Sequence, residues 1–168
     1  MDLPLTAWKS LIMFRMLTAL LLASLPHTVF ADDALKRYLG ETVYVPAYSR
    51  IFTYESRSEL LAATLSVHNI DPETPIRLES AVYHDEAGAP LRNLIEDPVD
   101  LAPFQSISLL VPINDTTGGI GANFIVTWSS AVPALSPLSE SVMTGAPGTP
   151  GPSFTSRGRA IRQDLDGR

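Results

Sequence analysis

Beyond residue 40 the chain alternates apolar and polar side chains with a period of two. This spacing turns one face of a strand toward a core and the other toward water. Thr42-Val43-Tyr44-Val45-Pro46-Ala47-Tyr48 alternates in this way. Pro46 has no backbone donor, so this strand is expected at a sheet edge or at a bulge. Leu61, Ala63, Leu65 and Val67 fall on one face of the next strand, with Thr64, Ser66 and His68 on the other. Asn69-Ile70-Asp71-Pro72 should end it, because Asx side chains bond their own backbone and proline fixes a turn. In a third strand Ile76, Leu78 and Val82 share a face, while Arg77, Glu79 and Tyr83 point away and His84 follows the inward pattern. Asp85-Glu86-Ala87-Gly88 reads as a tight turn, with aspartate leading and glycine closing. A short strand is expected at 91–94. Ile107, Leu109 and Val111 alternate with Ser106 and Ser108. Phe124, Val126 and Trp128 alternate with Ile125 and Thr127, and this strand is apolar on both faces at its centre, which suits an inner position. A last run, 153–161, is expected to close the sheet.

Short strands separated by turn residues predict an all-β fold, a small antiparallel immunoglobulin-like β-sandwich over 41–161. Amphipathic helices do not separate the strands, which argues against a parallel α/β sheet. Residues 32–40 form a lead-in, with a short helix predicted at 34–39, started by Asp32 or Asp33 and stopped by Gly40. Ala146-Pro147-Gly148-Thr149-Pro150-Gly151-Pro152 reads as a linker or flexible loop, and 162–168 as a disordered tail.

The N-terminus has a different pattern. Lys9 and Arg15 precede an apolar run at 16–25. The run is short of the roughly 20 residues that cross a bilayer and suits the apolar region of a signal peptide. Val29-Phe30-Ala31 offers a cleavage site, so 1–31 is read as a signal peptide cut after Ala31. That predicts a periplasmic or secreted protein with no stable membrane span after cleavage. The other reading is an uncleaved anchor that starts near Leu11.

Four segments carry a resemblance: Thr42-Val43-Tyr44-Val45-Pro46-Ala47-Tyr48-Ser49, Leu65-Ser66-Val67-His68-Asn69, the stretch from Gly118 to Trp128, and Ser153-Phe154-Thr155-Ser156-Arg157-Gly158-Arg159. They resemble the signature blocks of the bacterial domain-of-unknown-function family 3124, over roughly 40–161. The resemblance implies an exported or lipid-anchored bacterial protein without an established activity. The middle strands and the turn at 83–88 also resemble the small sandwich domains of the late-embryogenesis-abundant type, as a likeness of fold only.

Composition narrows the chemistry. The formal charge is −6, which argues against non-specific nucleic-acid binding, since that needs a basic surface to displace counterions from phosphate. The chain has no cysteine, so disulfides, thiolate metal sites, cysteine nucleophiles and a lipidated N-terminal cysteine are excluded. Beyond the leader the histidines are His68 and His84, fewer than the three or four ligands a zinc site needs, and no metal site is expected. Asn114-Asp115-Thr116-Thr117-Gly118-Gly119 offers oxygens for calcium but lacks the spaced acids and distal glutamate of an EF-hand. Gly119-x-Gly121 lacks the third glycine and the following helix of a dinucleotide fingerprint, and no cofactor is expected. Ser66, His68 and Asp71 lie close in sequence, but no nucleophile elbow or oxyanion hole accompanies them. The chain is therefore read as a non-enzyme, without catalytic residues.

The candidate binding residues are Ser156, Arg157 and Arg159, with Asn123 as a polar neighbour. Two forked guanidiniums beside hydroxyls suit a carboxylate or phosphate, and Gly158 between them permits a bulge or close backbone approach. The competing reading is that the arginines guard an edge strand or pair with local acids. Tyr44 and Tyr48 share a face and either pack across strands or present a contact patch. The function expected is an interaction module that binds an envelope protein or a small anionic ligand. Alternatives are an assembly or stability subunit of an envelope complex and a hydrolase using carboxylates or Ser66 with His68.

Overall fold

A computed structural model describes residues 35–146, 148 and 151–165. The signal peptide read at 1–31 lies outside the described residues. So do residues 32–34 of the lead-in and 166–168 of the tail.

Among the described residues twelve strands follow one another: β1 Arg37–Pro46, β2 Arg50–Tyr54, β3 Arg57–Leu60, β4 Ala62–His68, β5 Ile76–His84, β6 Pro90–Asn93, β7 Val99–Leu101, β8 Ser106–Val111, β9 Asn123–Leu135, β10 Leu138–Thr144, β11 Ser153–Arg157 and β12 Arg159–Asp164. One sheet has the order β12-β1-β9-β5-β6, with β7 also paired to β5, and the other has β11-β10-β4-β8. All pairings are antiparallel. The two sheets enclose one core, in which Trp128, Tyr83, Phe124, Leu65, Leu78, Val67 and Met143 are fully buried. The fold is thus the antiparallel β-sandwich that the alternation predicts, and β9, apolar on both faces, is the central strand of its sheet. Strands β2 and β3 form a separate hairpin.

Several expectations change. Of the helix expected at 34–39, the described residues 35–39 form none: Arg37 onward already belongs to β1, with Tyr38 turned into the core opposite Ala134 of β9. Gly40, read as a helix stop, lies in mid-strand. A Cβ there would meet the Trp128 carbonyl at 2.7 Å, so the residue is small to let β1 close on β9. Of the two settings expected for the Pro46 strand, the edge is ruled out, since β1 lies between β12 and β9, but the bulge is met, since its register shifts between Thr42 and Val43 against β12 and between Tyr38 and Gly40 against β9. Ala47 donates to Ala122 on the β9 side, so alternation turns the Pro46 nitrogen the other way, beyond the last β1–β12 pair, Tyr44–Arg159.

In β5 the parity reverses midway. Leu78 pairs with Trp128 and Ser80 with Thr127, which leaves Glu79 as an extra residue. Such a bulge flips every later side chain. Ala81 and Tyr83 therefore enter the core, while Val82 and His84 turn outward. Residues 162–164, expected in a disordered tail, instead pair with β1 as part of β12.

The run at 153–161 is two strands rather than one. β11 pairs with β10 in one sheet and β12 with β1 in the other, and Gly158 is the single residue between them. Its N–H donates to the Ser139 carbonyl at 2.8 Å. A Cβ at Gly158 would lie 2.8–2.9 Å from Val43, Val45 and the Ser139 carbonyl. The chain passes between the sheets there because glycine has no side chain to place.

Candidate functional site

The passage at Gly158 leaves a recess of about 410 Å³ beside it, between β1 and β12 of one sheet and the start of β10 in the other. Its lining includes Tyr38 and Glu41 of β1, Ser139 of β10, Gln163 of β12, and Lys36 and Arg157. Strand parity explains the inner members. Glu41 precedes Val43 and Val45 on the inward face of β1, and is 4% exposed. Ser139 precedes Ser141 and Met143 on the inward face of β10, and is 3% exposed.

The Glu41 carboxylate accepts the Trp128 indole N–H at 3.3 Å and the Gln163 side-chain amide at 2.7 Å. Both donors are neutral. Among the described residues no cation lies within ion-pair distance of it. The Ser139 hydroxyl has no hydrogen-bond partner among the described residues. Buried charges are ordinarily paired and buried hydroxyls bonded, so two such groups in one recess are a departure that needs a reason. The exposed Lys36 and Arg157 on the rim are cationic. The recess thus offers a carboxylate and a hydroxyl inside and positive charge at its mouth.

The residues singled out from sequence are not gathered into one place. Arg157 and Arg159 are exposed on either side of Gly158. Arg157 lines the recess; Arg159, the first residue of β12, pairs with Tyr44 and is not part of the lining. Ser156 turns inward with Phe154, away from the arginine face. Asn123 is buried at the start of β9, with β1 between it and β12. Tyr44 is exposed, whereas Tyr48 packs on Phe154 with ring centroids 5.8 Å apart, so the two do not form one patch.

The Ser66, His68 and Asp71 set does not assemble. Ser66 bonds Ser108 across the strand pair at 3.1 Å. Asp71 is wholly buried and accepts the backbone N–H groups of Glu73, Thr74 and Leu135, each at 2.9 Å, and Arg37 at 2.6 Å. Burial by itself would raise its pKa, but these donors outweigh burial and hold it at about 2. His68 and His84 stand on different sheets. In the loop at 114–119, burial would raise the Asp115 pKa, but the Thr117 bonds and Arg92 outweigh it and keep it low. Its oxygens are therefore committed to Thr117 and Arg92.

Sequence reading missed Glu41 and Ser139. Strand β10 went unrecognised because its inward positions begin Ser139 and Ser141, which reverses the usual hydrophobic signal. The one available clue was the acid at Glu41, in phase with Val43 and Val45.

Comparison with curated proteins returns no match. The fold is similar to the crystal structure of Thermotoga maritima 1070, at 13% identity over 74% of this chain and 97% of that one, with a TM-score of 0.43. The model of the family described as Protein of unknown function (DUF3124) matches residues 40–161, which span β1 from Gly40 to β12 at Ile161 and include Glu41, Ser139 and Arg157, and the chain belongs to that family.

Proposed function

We propose that the protein is an exported, soluble, non-catalytic binding module. It acts in the periplasm or outside the cell, and recognises an anionic group on an envelope protein or a small ligand through the segment that passes between the sheets. The observation that carries this reading is the state of Arg157 and Arg159. Both are exposed, and neither has a hydrogen-bonded or ion-paired partner among the described residues, although Glu140 is the ladder partner of Arg157. In an acidic chain, two unpaired guanidiniums on the outer strands of both sheets favour an external anion over a local one.

The test is affinity capture from the organism's own envelope fraction, with wild type beside the Arg157→Ala/Arg159→Ala double variant. Circular dichroism should be unchanged, since both side chains are exposed. Partners should be lost from the variant, and an identical set of partners would sink the reading. N-terminal sequencing of the recovered protein should begin at Asp32. A second reading, an assembly subunit, is favoured by the β2–β3 hairpin, which exposes Phe52, Tyr54 and Leu60. Co-purification in a fixed stoichiometry that fails in Phe52→Ser/Tyr54→Ser would support it.

A further inference from the structure

We infer that the recess beside Gly158 binds a small zwitterion of amino-acid to dipeptide size, with its ammonium on Glu41 and Ser139 and its carboxylate at Arg157 and Lys36. The inference goes beyond the arginine reading above and shares only Arg157 with it.

The inner end sets the chemistry of one ligand group. Glu41 is a buried carboxylate held by two neutral donors, and nothing described in the protein neutralises it. An uncompensated buried carboxylate is unfavourable, and an incoming cation relieves that penalty. Gln163 donates its amide N–H to Glu41, which leaves its amide oxygen without a partner among the described residues. Ser139 adds a hydroxyl that bonds nothing among the described residues. A primary ammonium has three donors, and here stand three acceptors: the Glu41 carboxylate, the Gln163 amide oxygen and the Ser139 hydroxyl. A metal ion fits less well, because one carboxylate is the only anionic ligand, and among the described residues no three acids or histidines gather.

The mouth sets the other group. Lys36 and Arg157 line the rim, and the arginine fork matches a carboxylate. A ligand that bridges the two ends therefore carries an ammonium at one end and a carboxylate at the other. The volume, about 410 Å³, lies at the lower end of the range for small-molecule pockets. The Tyr38 ring and Val43 supply an apolar wall for the ligand's body.

The test is isothermal titration calorimetry on the purified protein. The probes are the free α-amino acids and a set of dipeptides, each beside its N-acetylated and C-amidated forms. At least one free zwitterion should bind with a Kd of about 1 mM or tighter. N-acetylation should weaken it by about tenfold or more, because it removes the ammonium that Glu41 receives. Ser139→Ala should weaken binding by about fivefold while leaving the unfolding midpoint of the empty protein unchanged or raised, because the hydroxyl it removes has no partner to lose. Glu41→Gln should abolish binding; should that variant fail to fold, Ser139→Ala decides.

The inference is overturned if no probe binds at about 10 mM, a level far weaker than a built site requires. Equal affinity for acetylated and free forms, or full affinity in Ser139→Ala, overturns it too. Ser139→Ala leaves both arginines in place, so loss of zwitterion binding in that variant stands apart from the envelope-capture result. The arginine reading can fail there while zwitterion binding persists.

Discussion

Replacing Asp71 by asparagine isolates the carboxylate that receives the most hydrogen bonds among the described residues. One oxygen of Asp71 receives the backbone N–H groups of Glu73 and Thr74; the other receives the Leu135 N–H and Arg37. These contacts tie the β4–β5 loop to the start of β1 and the end of β9. Asparagine has nearly the same shape but only one acceptor. If its oxygen keeps Glu73 and Thr74, its NH2 group meets the Leu135 N–H and the Arg37 guanidinium, donor against donor. Two buried or half-buried donors lose their acceptor, one of them charged, so the change should cost about 3 kcal/mol.

The pH dependence has a defined sign. The folded-state pKa, about 2, lies below the ordinary 3.8. The contribution of the charged carboxylate is therefore complete above the unfolded value and is lost as pH falls from there through the folded value. Urea unfolding of wild type and Asp71→Asn at pH 7, 4 and 3 measures this directly. The gap between the two proteins should be full at pH 7 and should narrow by pH 3, because asparagine does not titrate. A variant within about 0.5 kcal/mol of wild type at pH 7, the size of an ordinary surface substitution, would refute the reasoning. So would a gap that stays constant down to pH 3.

Tyr83→Phe removes a 2.6 Å hydrogen bond to the buried Ser49 hydroxyl and strands that hydroxyl, so denaturant titration should show a loss of about 1–3 kcal/mol. Gly158→Val places a branched side chain where even a Cβ would sit 2.8 Å from Val43, so it should cost about 3 kcal/mol or prevent folding, as read by thermal unfolding. Arg159→Ala, one residue on and exposed, should change stability by less than about 0.5 kcal/mol in the same assay. Leu65→Ala, at a fully buried position between the sheets, should lose about 3 kcal/mol in denaturant titration through the cavity it leaves.

The sequence by itself determined the fold class and most of the strand set, because the alternation in β4, β8 and β9 is a local property that any sandwich must respect. It also determined the turn chemistry at Asn69 and Asp71, where short side chains bond the neighbouring backbone. The tertiary structure decided everything that depends on register. The extra residue Glu79 reversed the facing of Tyr83 and Val82, and nothing in the local pattern announces a bulge. Only the approach of β1 to β9 showed why residue 40 is glycine, and only the passage between sheets at residue 158 divided one apparent strand into two. The recess followed from that passage. Glu41 and Ser139 are 98 positions apart by their numbers, on different sheets, and each looks like a surface residue in sequence. Polar residues at inward positions carry no periodic signal of their own, so their meeting is visible only once the two sheets are packed.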